Sequence, residues 1–211
     1  MNKKLEEKII EYAKSLCITD STGHDWYHVE RVFKIAEHIG KIEGADMDVI
    51  EAAAFLHDIG ISHEINEGID HAETGANMAS IFLKDIGFDS DKIDKVVKSI
   101  KYHRYGKKLQ PESLEAKILQ DADRLDTLGA IGVARAFAYG GARGAPIYDP
   151  FEKVEDYNPF KIKSTTTHFK EKLLKVKDSL NTTAAKEIGE KRHRFMLAFL
   201  EELYNELNYR F

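Results

Sequence analysis

A chain of 211 residues with 43% hydrophobic and 32% charged residues is long enough to bury a sizeable core, and no apolar run approaches the ~20 residues of a membrane span. Its formal charge of −5 at pH 7 argues against a broad nucleic-acid surface, which needs a basic patch to displace counterions. Cys17 is alone, so a disulfide framework is excluded and a cytoplasmic setting is expected; the opening MNKKLEEKIIEY lacks the apolar core of a signal peptide.

The repeating signal is helical, with four prolines and few strand-like alternations, which predicts an all-α chain. Leu5, Ile9, Tyr12 and Leu16 mark a first helix over about 3–17. The polar stretch Thr19 to Gly23 is expected to cap a second over 25–43, with Trp26, Val29, Val32, Phe33, Ala36 and Ile39 inward. A third is expected over 47–58. Asp70-His71-Ala72-Glu73 reads as a capping box opening a helix to about 86, and another follows Asp89 or Ser90 to about 104. The segment 112–139 after Pro111 reads as one long helix or two. From Gly140 to about Thr167 the pattern disappears, in a stretch that holds Pro146, Pro150, Pro159 and the Gly140-Gly141-Ala142-Arg143-Gly144 cluster. A loop of this length is usually functional or mobile; the glycine cluster lacks the Lys-Ser/Thr ending of a phosphate-binding loop and suits a closure over substrate. Helices over 168–180 and 183–208 close the chain.

Four histidines fall where apolar residues are expected. His28 shares a stripe with Val32, Ile35 and Ile39; His57 continues Ile50, Ala53 and Ala54; His71 leads into Gly75, Met78 and Phe82; His103 ends Ile93, Val96 and Ile100. Each buried imidazole needs a partner, and a metal satisfies several at once. His38, by contrast, shares a face with Arg31, Lys34 and Lys41 and reads as solvated. Imidazole nitrogens with carboxylate oxygens suit a divalent ion such as Mn, Fe, Co, Ni or Zn better than Mg. Two imidazoles and two carboxylates leave positions open for water and a substrate oxygen, which is the mark of a catalytic site.

The ordered set His28, then Leu56-His57-Asp58-Ile59, then Ala122-Asp123-Arg124-Leu125 resembles the HD superfamily of metal-dependent phosphohydrolases. The segments 24–32, 121–132 and 168–174 are similar to the bacterial subgroup of nucleoside triphosphate pyrophosphohydrolases of the YpgQ and YedJ type. This resemblance implies a compact all-α HD bundle with additional C-terminal helices, read as one domain over 1–211: a metal-binding core over about 20–135, a loop over 140–167 and C-terminal helices over 168–208. It implies that His28, His57, Asp58 and Asp123 bind one divalent ion, with Mn favoured. Asp121 and Asp126 remain rivals for the last position. Asp121 otherwise reads as an ordinary polar helix residue, and Asp126 as an acceptor that orients a ligand histidine. His71 and His103 occupy places where some relatives bind a second ion, or else they line the cavity and contact substrate. Ile61, three positions after Asp58, stands where certain relatives carry another catalytic or ligating group, a departure from the nucleotidase and dinuclear branches.

The activity implied is hydrolysis of a (deoxy)nucleoside triphosphate to monophosphate and pyrophosphate by a metal-activated water, with Asp58 or an adjacent carboxylate as the catalytic proton acceptor. A nucleoside monophosphate or cyclic-nucleotide phosphohydrolase, or a nucleotide-sensing protein without turnover, are the alternatives. Phosphate charge calls for cations: Arg31 lies one turn beyond His28, Lys172 and Lys175 are expected on the face of His168 near a helix N-terminus, and Arg143 and Arg192 are further candidates.

Overall fold

A computed structural model describes residues 1–18, 23, 25–104, 110–158, 161 and 163–208. The chain is organised as two compact units. The first comprises residues 1–20 and 24–123, the second residues 21–23 and 124–211.

Helices α1 (Lys3–Leu16), α2 (Trp26–Glu43) and α3 (Met47–Leu56) open the first unit. Asn2, Asp25 and Asp46 each accept a backbone N–H at the start of these helices, as short polar side chains do where the first turn leaves donors unpaired. The stretch 19–22, expected to cap α2, lies outside the described residues, and Asp25 fills that role. Helix α3 is apolar on nearly every side: Val49, Ile50 and all of Ala52 to Leu56 are buried. A helix of that kind belongs in a core, and α3 packs against α1, α2 and the later α6 (Ser90–Tyr102). Between them run a short α4 (Ile61–Glu67), which the periodicity did not foretell, and α5 (His71–Asp85), which pairs with α6. Asp70 Oδ1 accepts the N–H groups of Ala72 and Glu73, and Asp89 that of Asp91, so the sequence placed both helix starts.

The segment after Pro111 forms two helices, α7 (Leu114–Asp126) and α8 (Gly129–Ala142). The first unit takes α7 up to Asp123 and the second begins at Arg124. In the second unit, α8 packs on α9 (Thr165–Glu171) and on the long α10 (Thr183–Leu207). Phe137, Phe169 and Phe199 meet there, with ring centroids 5.8–6.4 Å apart. The expected helix over 168–180 is a correction: α9 ends at Glu171, Lys172 leaves helical geometry at φ −127°, ψ −64°, and a 3-10 helix follows over Leu173–Ser179. No helix among the described residues is long and apolar enough to cross a membrane.

Candidate metal centre

Asp58 sits at the reversal between α3 and α4. His57 caps α3, and the Asp58 carbonyl accepts the Ile61 N–H at 3.0 Å. The turn is held against the start of α5 through Gly60. A Cβ at that position would lie 2.3 Å from the His71 carbonyl oxygen and 2.7 Å from the Gly75 nitrogen.

Around Asp58 the first unit gathers two groups of donors. Oδ2 lies 3.5 Å from Nε2 of His28 and 3.5 Å from Nε2 of His57. The two imidazole nitrogens are 3.3 Å apart, and Asp123 Oδ1 is 3.5 Å from His28 Nε2. On the other side, Oδ1 lies 3.6 Å from His71 Nε2 and 3.7 Å from His103 Nε2, which are themselves 3.3 Å apart. His28, His57 and His103 are at most 2% exposed, as their apolar stripes required; the His71 side chain is 13% exposed. His38 is exposed.

The tautomers follow from the partners. His57 Nδ1 lies 2.8 Å from the Ala54 carbonyl and His103 Nδ1 lies 2.6 Å from the Ile100 carbonyl. A carbonyl only accepts, so both Nδ1 atoms donate, and in the neutral rings Nε2 presents a lone pair. Burial pushes the pKa of His57 down to about 4 against the pull of Asp58, which keeps it in the neutral form that ligates metals. Burial also works to lower His103, but its hydrogen bond to Asp58 and the charges of Asp123 and Asp58 outweigh that and leave it raised. For Asp123 burial acts upward, yet the imidazoles of His28, His103 and His57 hold the carboxyl below the usual range.

Lone pairs and carboxylate oxygens converging at 3.3–3.5 Å repel one another unless a cation lies between them. With ligand bonds of about 2.0–2.2 Å, donors around a tetrahedral or octahedral ion stand about 3–3.5 Å apart, so the donor set fits a divalent ion. His28, His57 and Asp58 form one group able to hold an ion, and Asp58, His71 and His103 form another.

Sequence reasoning missed the support behind His71. Glu64, on α4, accepts the His71 backbone N–H at 3.1 Å and contacts Nδ1 of the same ring. Arg104 grips Glu64 with both guanidinium nitrogens, at 2.7 and 3.0 Å, and Asp70 at 2.9 Å. A carboxylate behind an imidazole fixes its orientation and raises its basicity. The glycines Gly60 and Gly68 bracketing α4 were the one signal for that helix; nothing in the spacing linked Glu64 to Arg104.

The other sequence candidates fall as follows. Asp121 is fully buried, not on a solvated face. Asp126 is 1% exposed and accepts from Arg135 Nη1 at 2.6 Å. Arg31, on α2, is half-buried. Arg192 Nη1 donates to the Leu125 carbonyl at 2.5 Å. Lys172 stands at the C-cap of α9 with its Nζ 4.9 Å from the Tyr157 ring centre, and Lys175 is exposed in the 3-10 helix. Their shared helical face with His168 near a helix N-terminus therefore does not exist, because α9 begins at Thr165 and ends before either lysine.

An all-helical unit with a histidine, a His-Asp pair and a distal aspartate gathered at one point is the arrangement of a known class. The HD domain family model matches residues 25–128. YpgQ of Bacillus subtilis (strain 168) is 35% identical over 205 residues, covering 97% of this chain and 94% of YpgQ. Among solved structures, an HD-superfamily hydrolase from Bacillus thuringiensis is similar with a TM-score of 0.78 at 40% identity, covering 98% of each chain. The structure of B. subtilis YpgQ in complex with ADP is similar with a TM-score of 0.73 at 32% identity, covering 95% of this chain and 97% of that one. The chain belongs to the HD-domain superfamily of metal-dependent hydrolases, in the company of YpgQ.

Proposed function

We propose that this protein is a cytoplasmic, metal-dependent nucleotide phosphohydrolase that converts a (deoxy)nucleoside triphosphate to the monophosphate and pyrophosphate. The observation that carries this reading is the convergence of His28, His57, Asp58 and Asp123 within 3.3–3.5 Å contacts. The solved complex of the similar YpgQ with ADP supports a nucleotide as the ligand. Manganese, which the family resemblance favours, is among the ions that the mixed imidazole and carboxylate set suits. When bound, such an ion supplies a nucleophile at neutral pH and neutralises charge on the phosphoryl group.

The chain's own residues do the rest. Their Nδ1 hydrogen bonds to backbone hold the His57 and His103 rings with Nε2 aimed at Asp58. Asp58 accepts the proton of the attacking water. The water oxygen bonds to the α-phosphorus, the bridging P–O bond breaks, and pyrophosphate leaves with the electron pair. Arg31, half-buried on α2, is the cation we assign to the remaining phosphate charge.

A second arrangement has its own observation. Asp58 Oδ1 faces His71 and His103, and Glu64 with Arg104 stiffens the first of these, so this group is a place for a second ion with Asp58 shared between the two. Incubation of the protein with a panel of nucleoside tri-, di-, mono- and cyclic phosphates in Mn, with separate detection of phosphate and pyrophosphate, tests the reading. Pyrophosphate with monophosphate from a triphosphate is expected. Phosphate release from a monophosphate, opening of a cyclic nucleotide, or binding without turnover would each replace the proposal with the corresponding alternative.

A further inference from the structure

The two donor groups around Asp58 are held in different ways. The His57 and His103 rings are tied to carbonyls of the helices they close, so their direction is settled within α3 and α6. The His71 ring is tied to a different element, the short α4. None of the seven residues of α4 is buried, and its attachment here is polar. Glu64 accepts the His71 backbone N–H, contacts Nδ1 of the ring and takes both guanidinium nitrogens of Arg104. Arg104 also donates to Asp70 Oδ2 at 2.9 Å, and Asp70 Oδ1 caps α5. One guanidinium thus braces α4 and the start of α5, whose first residue is His71.

The partners of Glu64 decide the form of the His71 ring. Oε2 receives the His71 backbone N–H at 3.1 Å and Arg104 Nη1 at 3.0 Å beside the ring Nδ1, while Oε1 receives Arg104 Nη2 at 2.7 Å. A guanidinium and a backbone N–H only donate. Neither carboxyl oxygen therefore has room for a hydrogen of its own, and Nδ1 supplies the one between ring and carboxylate. In a neutral ring that hydrogen is then spent on Glu64, and Nε2 keeps its lone pair toward Asp58 Oδ1 at 3.6 Å and His103 Nε2 at 3.3 Å. Without Glu64 the hydrogen is able to move to Nε2, where it would point into the donor group and occupy the place of an ion.

We propose that Glu64, braced by Arg104, is a positioning residue that keeps the hydrogen of His71 on Nδ1, and that the Asp58–His71–His103 group depends on this contact for its ion while the His28–His57–Asp58 group does not. This role rests on the two-ion arrangement proposed above and is independent of which nucleotide is hydrolysed.

Calorimetric titration of the metal-free whole chain with Mn tests it, together with long-range proton–nitrogen correlation spectra at mildly alkaline pH, where imidazole is neutral, to read which His71 nitrogen carries hydrogen. The parent is expected to bind two ions and to carry that hydrogen on Nδ1. His71→Ala, which removes the ligand itself, marks the binding step that belongs to its group. Loss of the partner that orients a ligand histidine costs about 10–100-fold in metal affinity, so Glu64→Ala is expected to weaken that step by about this factor, leave the other unchanged and move the His71 hydrogen to Nε2. Glu64→Gln separates aiming from bracing: its amide oxygen still accepts from Nδ1, but the charge that pairs with Arg104 is gone. It is expected to keep the Nδ1 hydrogen and most of the affinity, whereas a merely structural ion pair would make it fail as Glu64→Ala does. A single ion in the parent, a His71 Nδ1 without hydrogen there, parental affinity for both ions in Glu64→Ala, equal loss of both ions, or equal failure of the two Glu64 variants would each overturn the proposal. Should Glu64→Ala not fold, the parent spectrum and the Glu64→Gln affinities decide. Because ions and hydrogens are read without nucleotide, a negative hydrolysis panel beside a Glu64-dependent second ion removes the proposed reaction alone, and turnover beside Glu64-independent ion binding removes this role alone.

Discussion

Gly60→Ala probes how the fold aims Asp58. Gly60 has φ −87° and ψ −2°, a conformation open to alanine, so any effect comes from contact and not from backbone preference. The added methyl would sit 2.3 Å from the His71 carbonyl oxygen and 2.7 Å from the Gly75 nitrogen, whereas ordinary contacts begin near 3.4 Å. The start of α5 must therefore retreat by about 1 Å, and both obstructing atoms are backbone, so no side chain can swing aside. Overpacking of this kind is destabilising by about 1–3 kcal/mol. At the middle of that range the expected loss in a chain of this size is roughly 4–8 °C of unfolding temperature. The same movement carries His71 away from Asp58 Oδ1, so Mn content and nucleotide turnover should fall with it. Gly141→Ala is the control, since nothing lies within 4 Å of a Cβ there. Thermal unfolding and elemental analysis on both variants decide the matter; parental stability and metal content in Gly60→Ala would refute the close approach of α5 to this turn.

Three further outcomes are expected. His57→Ala and Asp123→Asn should lower bound Mn well below that of the parent, while His38→Ala, altered on an exposed position, should keep the parental content; equal loss in His38→Ala would sink the assignment, and chelation of the parent should abolish turnover until Mn is restored. Glu152 accepts the Ser164 N–H at 2.9 and 3.0 Å and its hydroxyl at 2.7 Å; burial acts to raise its pKa, but these bonds, Thr167 and Lys163 hold it below 4.5. With the folded value depressed, its stabilisation is present above about pH 4.5 and disappears as pH falls through the folded value, so Glu152→Gln should be less stable than the parent at pH 7 by about 1 kcal/mol, with the gap closing in urea titrations as pH falls through the depressed folded value. Arg31→Ala should reduce kcat/KM for a triphosphate about tenfold through the loss of one charge-assisted contact; unchanged kinetics would remove Arg31 from phosphate binding.

Much of the first unit was legible because its information is local. Asp70 and Asp89 announce their helices by side chains that cap the very next turn, and His28 shows its inward orientation through neighbours one and two turns away. The donor residues stand at such positions, so their gathering around Asp58 follows once the helices are placed. What escaped depends on contacts across sequence. Seven-residue α4 is too short to show a period. Its Glu64 meets Arg104 across 40 positions, and Asp121 is buried by packing that its polar neighbours in sequence do not foretell. The break at Lys172 escaped for the opposite reason: the apolar spacing of Phe169, Leu173 and Val176 continues through it, and α9 followed by a 3-10 helix buries those residues as one α-helix would.

His57 and His103 each close a helix, and each ring is tethered to a carbonyl three residues earlier in its own chain segment. Those carbonyls belong to the last turn, where the regular ladder of backbone donors runs out, and the Ile100 carbonyl also accepts the His103 backbone N–H at 3.4 Å. A single imidazole thus finishes the helix with one nitrogen and directs the other outward. Orientation of the ligand is written into four consecutive residues, Ala54 to His57 and Ile100 to His103, so the surrounding core is free to drift in sequence without turning the rings. Such a tetrapeptide is a portable unit: grafted at the end of another buried helix, it would carry its donor direction with it.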